Sequence, residues 1–534
     1  MLKKLKKQID LKETKIYSDF VFDFLNENKN LKDFYNSSFD IKSFKKQIEM
    51  KKSFSMTKRN VLVKELLSQY SDIDNKKVLN NINLLLNEST FTITTGHQLS
   101  ILTGPIFFIY KIISVINLCV KLKKEYPKNN FLPVFWLASE DHDFEEISEV
   151  YFRNKKINYS TKYKGAVGRM KLDDFNIFLH QVFNNFPEND LSKRLKKIIT
   201  SVYKNELTLA KATRNIVHQL FGDKGLIIID PDSHNIKKEF ASYMEDELIN
   251  NTCEEFVNET IMSIKKVYSE KYTPQVNPRE INLFHLKTNS RDRIIKKDSK
   301  FILSDKKLSQ KEMISELNKN PENFSPNVLM RPLYQEVILP NLCYIGGPSE
   351  MSYWLQLKSF FDYHSVVFPI INPRASVLLL TPKMRRKINK YFIKENEIFL
   401  KNDHFINLNI KKHSDIDINL DYLKTALQKQ FKVLDNLVKK TDSSFLGAVN
   451  AQKKKQFNGI DKLEKRLIKA QKRKMSSIES DLKNIYNEIY PEDVFQERII
   501  NFIDFYLHHG DTFLKNLFSN IDMFEKKFLV LDIK

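Results

Sequence analysis

The sequence predicts an α/β protein: a doubly wound, mostly parallel core preceded by a helical lead-in and followed by a C-terminal coiled-coil hairpin. Three observations predict it. Five short apolar runs between residues 91 and 374 each stop at a loop rich in Gly, Pro, Asp, Asn or Ser and give way to a helical segment. Strands buried on both faces of a parallel sheet, joined by crossover helices, leave that pattern. Residues before 91 read as mixed helices without strand alternation, and beyond 400 the chain turns Lys-rich, with apolar residues at three- and four-residue steps.

The elements follow in order. Residues 1–90, with the segment 61–86 as an example, form the helical lead-in. Residues 91–400 hold the α/β core with insertions, built on FTITT (91–95), FLPVFWLAS (131–139), LIIID (226–230), LCYIGGP (342–348) and VVFPIINPR (366–374). In open doubly wound sheets ligands sit beyond the carboxyl ends of the strands, so the loops after these runs are where chemistry is sought. Residues 415–492 form the coiled coil: Leu423, Leu427, Phe431, Leu434 and Val438 make one stripe, and Ile460, Leu463, Leu467, Met475, Ile478, Leu482, Ile485 and Ile489 a second with one irregular step. Residues 493–534 are a C-terminal helical segment that returns to the core.

Composition bounds the function. A chain of 534 residues with 42% hydrophobic and 29% charged residues, 11 glycines and 16 prolines has the usage of a folded multi-part enzyme rather than a disordered chain. The formal charge of +21 would attract nucleic acid, anionic membranes or small acidic substrates. Lysine far outnumbers arginine, and Asn, Ile and Phe are abundant, which an AT-rich genome produces by itself, so a nucleic-acid partner is not expected. Cys119, Cys253 and Cys343 are far apart and lack CxxC spacing, which suits a reducing cytoplasm. The basic N-terminus has no apolar segment behind it, and the most apolar stretch, residues 101–120, is interrupted by Gly104, Pro105, Lys111, Ser114 and Asn117. No membrane association is expected. The absence of GxGxxG, Walker, HExxH and GxSxG patterns argues against a dinucleotide-dependent dehydrogenase, a P-loop ATPase, a zincin and a serine hydrolase.

Three constellations carry candidate chemistry. In TGHQLSILTGPIFFIYKI a strand ends at Thr95, a turn carries Gly96, His97 and Gln98, and a helix is expected to begin near Pro105 with Thr103 as its cap. Backbone N–H groups around Gly104 would favour an anion. Lys111, two turns in, either approaches that anion or reaches solvent along its own stem.

In FWLASEDHDFEEI, Ser139, Glu140, Asp141, His142 and Asp143 crowd the end of a strand. Glu140, Asp141 and His142 are the candidates for acid and base work. Glu145 and Glu146 read as helix-start residues. Three adjacent residues rarely converge on one ion, so no tightly bound metal is predicted. In the third, Gly346, Gly347 and Pro348 lead from a strand into a helix, with Glu350 one turn in as an amine ligand or a cap; Arg331 precedes the strand, and Asn372 and Arg374 follow the next one. DPDSHN after LIIID reads as a cap (Asp232, Ser233) and turn (Asp230).

The ordered segments TGHQLSILTGP, VFWLASEDHDFEE, QVNPREINLFHL, FSPNVLMRPLYQEVILP, YIGGPSEMSYW and YPEDVFQERIINFI span roughly residues 91–503. Together they resemble the bacillithiol-biosynthesis cysteine-adding enzyme family, the BshC cysteine ligases. The resemblance implies addition of L-cysteine to glucosaminyl-malate through an amide bond, on a Rossmann-like core related to nucleotidylyl transferases and class I synthetases, in a homodimer. Amide formation from a free carboxylate is uphill in water, so it also implies ATP as cosubstrate, with Mg²⁺ accompanying it. The family pattern reads TGQQ where this chain has TGHQ, which makes His97 a binding residue rather than an obligatory base. By analogy with the synthetases, Gly96, His97, Gln98, Gly104 and Pro105 surround a phosphate or the malyl carboxylates.

Overall fold

The computed structural model describes residues 6–204, 207–303, 306–441 and 444–533. They fall into two compact units, Met1–Leu378 with Glu497–Leu531, and Leu379–Gln496 with Asp532–Lys534.

All five apolar runs become strands of one parallel sheet in the first unit: β1 (Thr90–His97), β2 (Asn130–Leu137), β3 (Ile227–Ile229), β4 (Asn341–Gly346) and β5 (Ile370–Pro373). The spatial order is β5-β4-β1-β2-β3. The chain winds outward from β1 through β2 to β3, then crosses back to β4 and β5, so the topological switch lies between β1 and β4. Loops leaving these two neighbours run to opposite faces and open a crevice at their carboxyl ends.

Burial on both faces explains why β1 tolerates so many threonines. Thr92 and Thr94 donate to Asn341 Oδ1 at 3.3 and 2.9 Å, and Thr95 donates to the Ile345 carbonyl at 2.7 Å, so each hydroxyl is satisfied within the sheet. The amide of Asn341 donates to Glu336, which forms a buried ion pair with Lys51 at 3.1 Å.

Residues 11–90 are mostly helical, but Lys6–Asp10 is a strand paired antiparallel with residues 527–531. Its five residues, KKQID, are too short and too polar to show an alternation. A second feature invisible to periodicity is a small antiparallel sheet of Leu283–Lys287, Ser290–Arg293 and Phe324–Pro326, inserted between β3 and β4.

The second unit is helical. Its longest helices are α5 (Asp421–Val438) and α6 (Ser444–Lys474), which pack together, and α7 (Ser476–Ile489) follows α6 after Met475 leaves the helical region. The irregular step in the heptad stripe falls at that break. Phe431, Leu482, Ile485 and Ile489 are buried, whereas Leu423, Leu437 and Leu463 remain exposed. Among the described residues no helix is long and apolar enough to cross a membrane.

Candidate functional site

A cavity of about 420 Å³ opens at the carboxyl ends of β1, β2 and β4, at the switch point. Its walls are chemically opposite. Around β1, β4 and β5 they carry Lys111, Arg331, Arg374 and Arg498 with the carboxylate of Glu350; beside β2 they carry Glu140 and Asp141, with Arg291 next to them.

Lys111 lies on α1 (Phe107–Glu125), and it takes neither of the two courses open to it from sequence alone in simple form. The side chain is 2% exposed, and its ammonium donates to the Gly96 carbonyl at 2.7 Å and contacts Glu350 at 2.5 Å. Burial holds the ammonium below its ordinary pKa, although the Glu350 charge opposes this. Glu350, in α4 (Pro348–Trp354), also accepts from the Tyr344 hydroxyl at 2.6 Å and from the Gly347 N–H at 2.7 Å. Burial works against its ionisation, but Lys111 and these donors outweigh it and hold the carboxyl at about 2. Glu350 is therefore a fixed anion that locks Lys111 against the cavity wall, not a free amine ligand.

A stability consequence follows. The folded-state value lies below the ordinary 4.5, so this carboxyl contributes stability that is full above pH 4.5 and is lost as the pH falls towards 2. Urea titrations between pH 5 and 2.5 should show Glu350→Gln with a shallower acid loss than the parent; parallel curves would contradict the pairing.

Among the described residues, two buried nitrogens on the cavity wall have no hydrogen-bond partner, Nε2 of His97 and Nη2 of Arg331, the latter guanidinium lying beside the Tyr353 hydroxyl. Arg331, from α3 (Met330–Ile338), donates from Nη1 to Gln335 at 3.1 Å and lies over the Tyr344 and Trp354 rings at 5.4 and 5.9 Å, which orients its remaining N–H edge. His97 packs its ring against Phe107 and Phe108 at 5.0 and 5.6 Å. Burial and the neighbouring Lys111 charge lower its pKa to about 3, so it stays neutral at physiological pH. Both are nitrogens on one wall, and a ligand oxygen acceptor there would satisfy them.

Arg374 is 3% exposed; its Nη2 donates to Glu497 at 2.7 Å, its Nη1 to the Ala375 carbonyl at 2.9 Å, and its guanidinium lies 4.8 Å over Phe107. Gly347 sits beside it: a Cβ there would come 3.3 Å from Glu350 Oε2. Gly346 and Asn372 stand behind this wall, the amide oxygen of Asn372 buried without a hydrogen-bond partner among the described residues.

On the opposite wall, Asp141 accepts from the His142 N–H at 2.7 Å and from the Gln98 amide at 2.8 Å. Despite burial, the His142 imidazole 3.6 Å away, the Gln98 amide, the Arg291 charge and the His142 N–H hold its carboxyl well below the usual range. The Gln98 amide also donates to Glu146 at 2.7 Å, so Glu146 is a partner of the turn as well as a helix-start residue. Glu140 is 8% exposed and lies 2.6 Å from the ammonium of Lys237. Burial raises its pKa, Lys237 opposing and Asp232 adding to the rise.

Other sequence candidates lie away from the cavity. Ser139 is buried and donates to Asp230 at 2.5 Å. His142 is not on the wall; its ring is partly exposed and its Nδ1 faces Arg291 Nη1 at 3.2 Å. Asp143 is exposed.

Thr103, Gly104 and Pro105 also point elsewhere. Helix α1 begins at Phe107 with no side-chain cap, because Leu102, Thr103 and Gly104 are left-handed, with φ of 50°, 70° and 61°. Their turn faces the C-terminal segment, where the Asn501 amide donates to the Leu102 and Gly104 carbonyls at 2.9 and 2.8 Å and Ile106 N–H donates to Ile500. Asp232 is not a cap either: it takes Arg169 bidentately at 2.6 and 2.8 Å, while Ser233 alone caps the following helix.

Sequence reasoning did not single out Arg291, Arg498, Tyr353 or Asn327 on the wall, nor Glu497 behind it. Arg291 comes from the small antiparallel sheet, whose strands carry no buried-strand signature. Glu497 and Arg498 lie in YPEDVFQERIINFI, and that segment was the available signal.

Comparison with known proteins agrees with this architecture. The family model for "Bacillithiol biosynthesis BshC, N-terminal Rossmann-like domain" matches residues 5–375, and that for the "C-terminal coiled-coil domain" matches residues 377–533. Proteins named "Putative cysteine ligase BshC" match nearly end to end. The one from Flavobacterium psychrophilum is 41% identical over 98% of both chains, that from Flavobacterium johnsoniae 42% over 97% of this chain and 98% of its own, and that from Bacillus cereus 26% over 91% and 93%.

Proposed function

This chain belongs to the bacillithiol-biosynthesis BshC family, and on that premise we propose that it is a ligase joining L-cysteine to glucosaminyl-malate through an amide bond. The observation that carries the reading is the polarity of the cavity. A substrate with two carboxylates at one end and an amine at the other matches walls that carry Arg331 and Arg498, flanked by Lys111 and Arg374 in their pairs with Glu350 and Glu497, on one side and Glu140 and Asp141 on the other. Charge-assisted hydrogen bonds of this kind fix both ends of a small ligand.

In this reading the malyl carboxylates take the unpartnered Nη2 of Arg331 and Nε2 of His97, and Asp141 holds the amine as an ammonium. Glu140 removes its proton, and the freed nitrogen attacks the carbonyl carbon of activated cysteine. The N–C bond forms, the acyl–oxygen bond breaks, and the leaving group departs with the electron pair towards the cationic wall, taking up the second proton that the nitrogen sheds. ATP, entering with Mg²⁺, is the proposed source of that leaving group. A neutral His97 suits donation to an anion and does not suit proton abstraction. The reaction is proposed to run in the cytoplasm, a compartment that suits three buried, free cysteines, and the enzyme is proposed to act as a homodimer.

Deleting the gene should abolish bacillithiol and make glucosaminyl-malate accumulate, as read by mass spectrometry of thiol-labelled extracts. Normal bacillithiol without accumulation would remove the proposal. A synthetase-like enzyme on another small substrate is the alternative that result would leave standing.

A further inference from the structure

Lys237 is nowhere part of the cavity, yet it is the cation that touches Glu140. It lies in the short helix α2 (His234–Lys238) directly after β3, and its side chain is fully buried. Lysine is almost never buried so completely without a partner, because desolvating an ammonium costs several kcal/mol. Its contacts are Glu140 Oε1 at 2.6 Å, Asp232 Oδ1 at 2.8 Å and the Glu322 carbonyl at 3.1 Å.

Asp232 does not need Lys237 for neutralisation, since Arg169 already grips both of its oxygens. Among the described residues Glu140 has no other cation in contact. Arg291 is nearby, but its nitrogens are engaged by Ser325, the Pro326 carbonyl and His142. The charged and titratable groups that face Glu140 are thus Lys237, Asp232, Arg291, Arg169 and Tyr334, and the Tyr334 hydroxyl donates to the Pro231 carbonyl at 2.8 Å.

The backbone that carries Glu140 is pinned from the same side. Gly168 N–H donates to the Ser139 carbonyl and Val167 N–H to the Asp141 carbonyl, both at 2.7 Å. A Cβ on Gly168 would come 2.4 Å from Ser139 Cβ, so this approach requires glycine. One turn therefore clamps the peptide on both sides of Glu140 and supplies the arginine that leaves Lys237 available to it.

We propose that Lys237 is a positioning residue for the reaction: it holds the Glu140 carboxylate in place and in its ionised form, with Arg169 and Asp232 anchoring the lysine in turn. The proposal rests on the reading of Glu140 as the proton acceptor. An opposite charge in contact lowers a carboxyl by roughly 1–3 pH units, so its loss has a direct signature.

The test is the pH dependence of thiol formation by the full-length protein, with glucosaminyl-malate, L-cysteine and ATP supplied. Lys237→Met should move the acid limb of the kcat/KM profile upward by at least about one pH unit and lower kcat at pH 7 by roughly tenfold or more, with KM for glucosaminyl-malate changed less than about threefold. Lys237→Arg should recover most of the rate and return the limb. An unmoved limb, or a raised KM with kcat unchanged, would overturn the proposal. Should Lys237→Met fail to fold, the charge-balanced Glu140→Gln/Lys237→Met protein decides: no loss beyond that of Glu140→Gln supports the proposal, and a further tenfold loss overturns it. If Glu140→Gln is itself fully active, the proton-acceptor reading is what falls; if it is inactive while Lys237→Met leaves the limb in place, only the role of Lys237 falls.

Discussion

Replacing Glu140 by glutamine lowers kcat for thiol formation by roughly 10²–10⁴-fold, the span typical of removing a positioned general base. The amide has the same shape and cannot accept the proton. On the proposed mechanism KM for glucosaminyl-malate changes little, because Asp141 is the group that holds the ammonium there. The fold survives, since Lys237 keeps Asp232 and the Glu322 carbonyl. His142→Ala is the informative contrast. Its ring stands outside the cavity beside Arg291, so its loss costs far less than that of Glu140. Steady-state kinetics on both variants, with circular dichroism to verify folding, settles the assignment; equal losses would return His142 to the chemistry.

Arg331→Met has the second largest effect. It removes the guanidinium whose Nη2 is buried without a hydrogen-bond partner among the described residues while keeping much of the apolar stem. A hydrogen bond to a charged group contributes about 1.5–3 kcal/mol, so kcat/KM falls roughly 10- to 150-fold, mostly through a raised KM. The lost stacking over Tyr344 and Trp354 costs only about 0.5–1 kcal/mol of stability. Titrating glucosaminyl-malate in a calorimeter separates these terms. Unchanged affinity together with a large drop in melting temperature would mean that Arg331 is a core residue and not a ligand-binding one.

How much of this was legible in the sequence depended on burial. The five core strands were readable because burial on both faces writes continuous apolar runs ending in polar loops. The two glycine turns after β1 and β4, with Lys111, Glu350, Arg331 and Arg374, lie where a doubly wound sheet places ligands, so they were found together. The start of α1 was misplaced because Pro105 and Thr103 imitate a helix start, whereas the backbone there is left-handed and held by Asn501, almost 400 residues away in the chain. No local signal carries that contact. The same holds for Arg291 and Glu497, which long-range packing brings to the wall, and for Asp232, which looks like a cap until Arg169 is seen beside it. The SEDHD loop was read as a catalytic cluster of three; packing divides it, with Glu140 and Asp141 facing the cavity and His142 facing Arg291.

The most direct test of the account is the structure of a crystal soaked with glucosaminyl-malate. The account predicts its carboxylates within hydrogen-bonding distance of Arg331 Nη2 and His97 Nε2, and its amine beside Asp141 and Glu140. Density in the reverse orientation, or outside the cavity between β1 and β4, would contradict it.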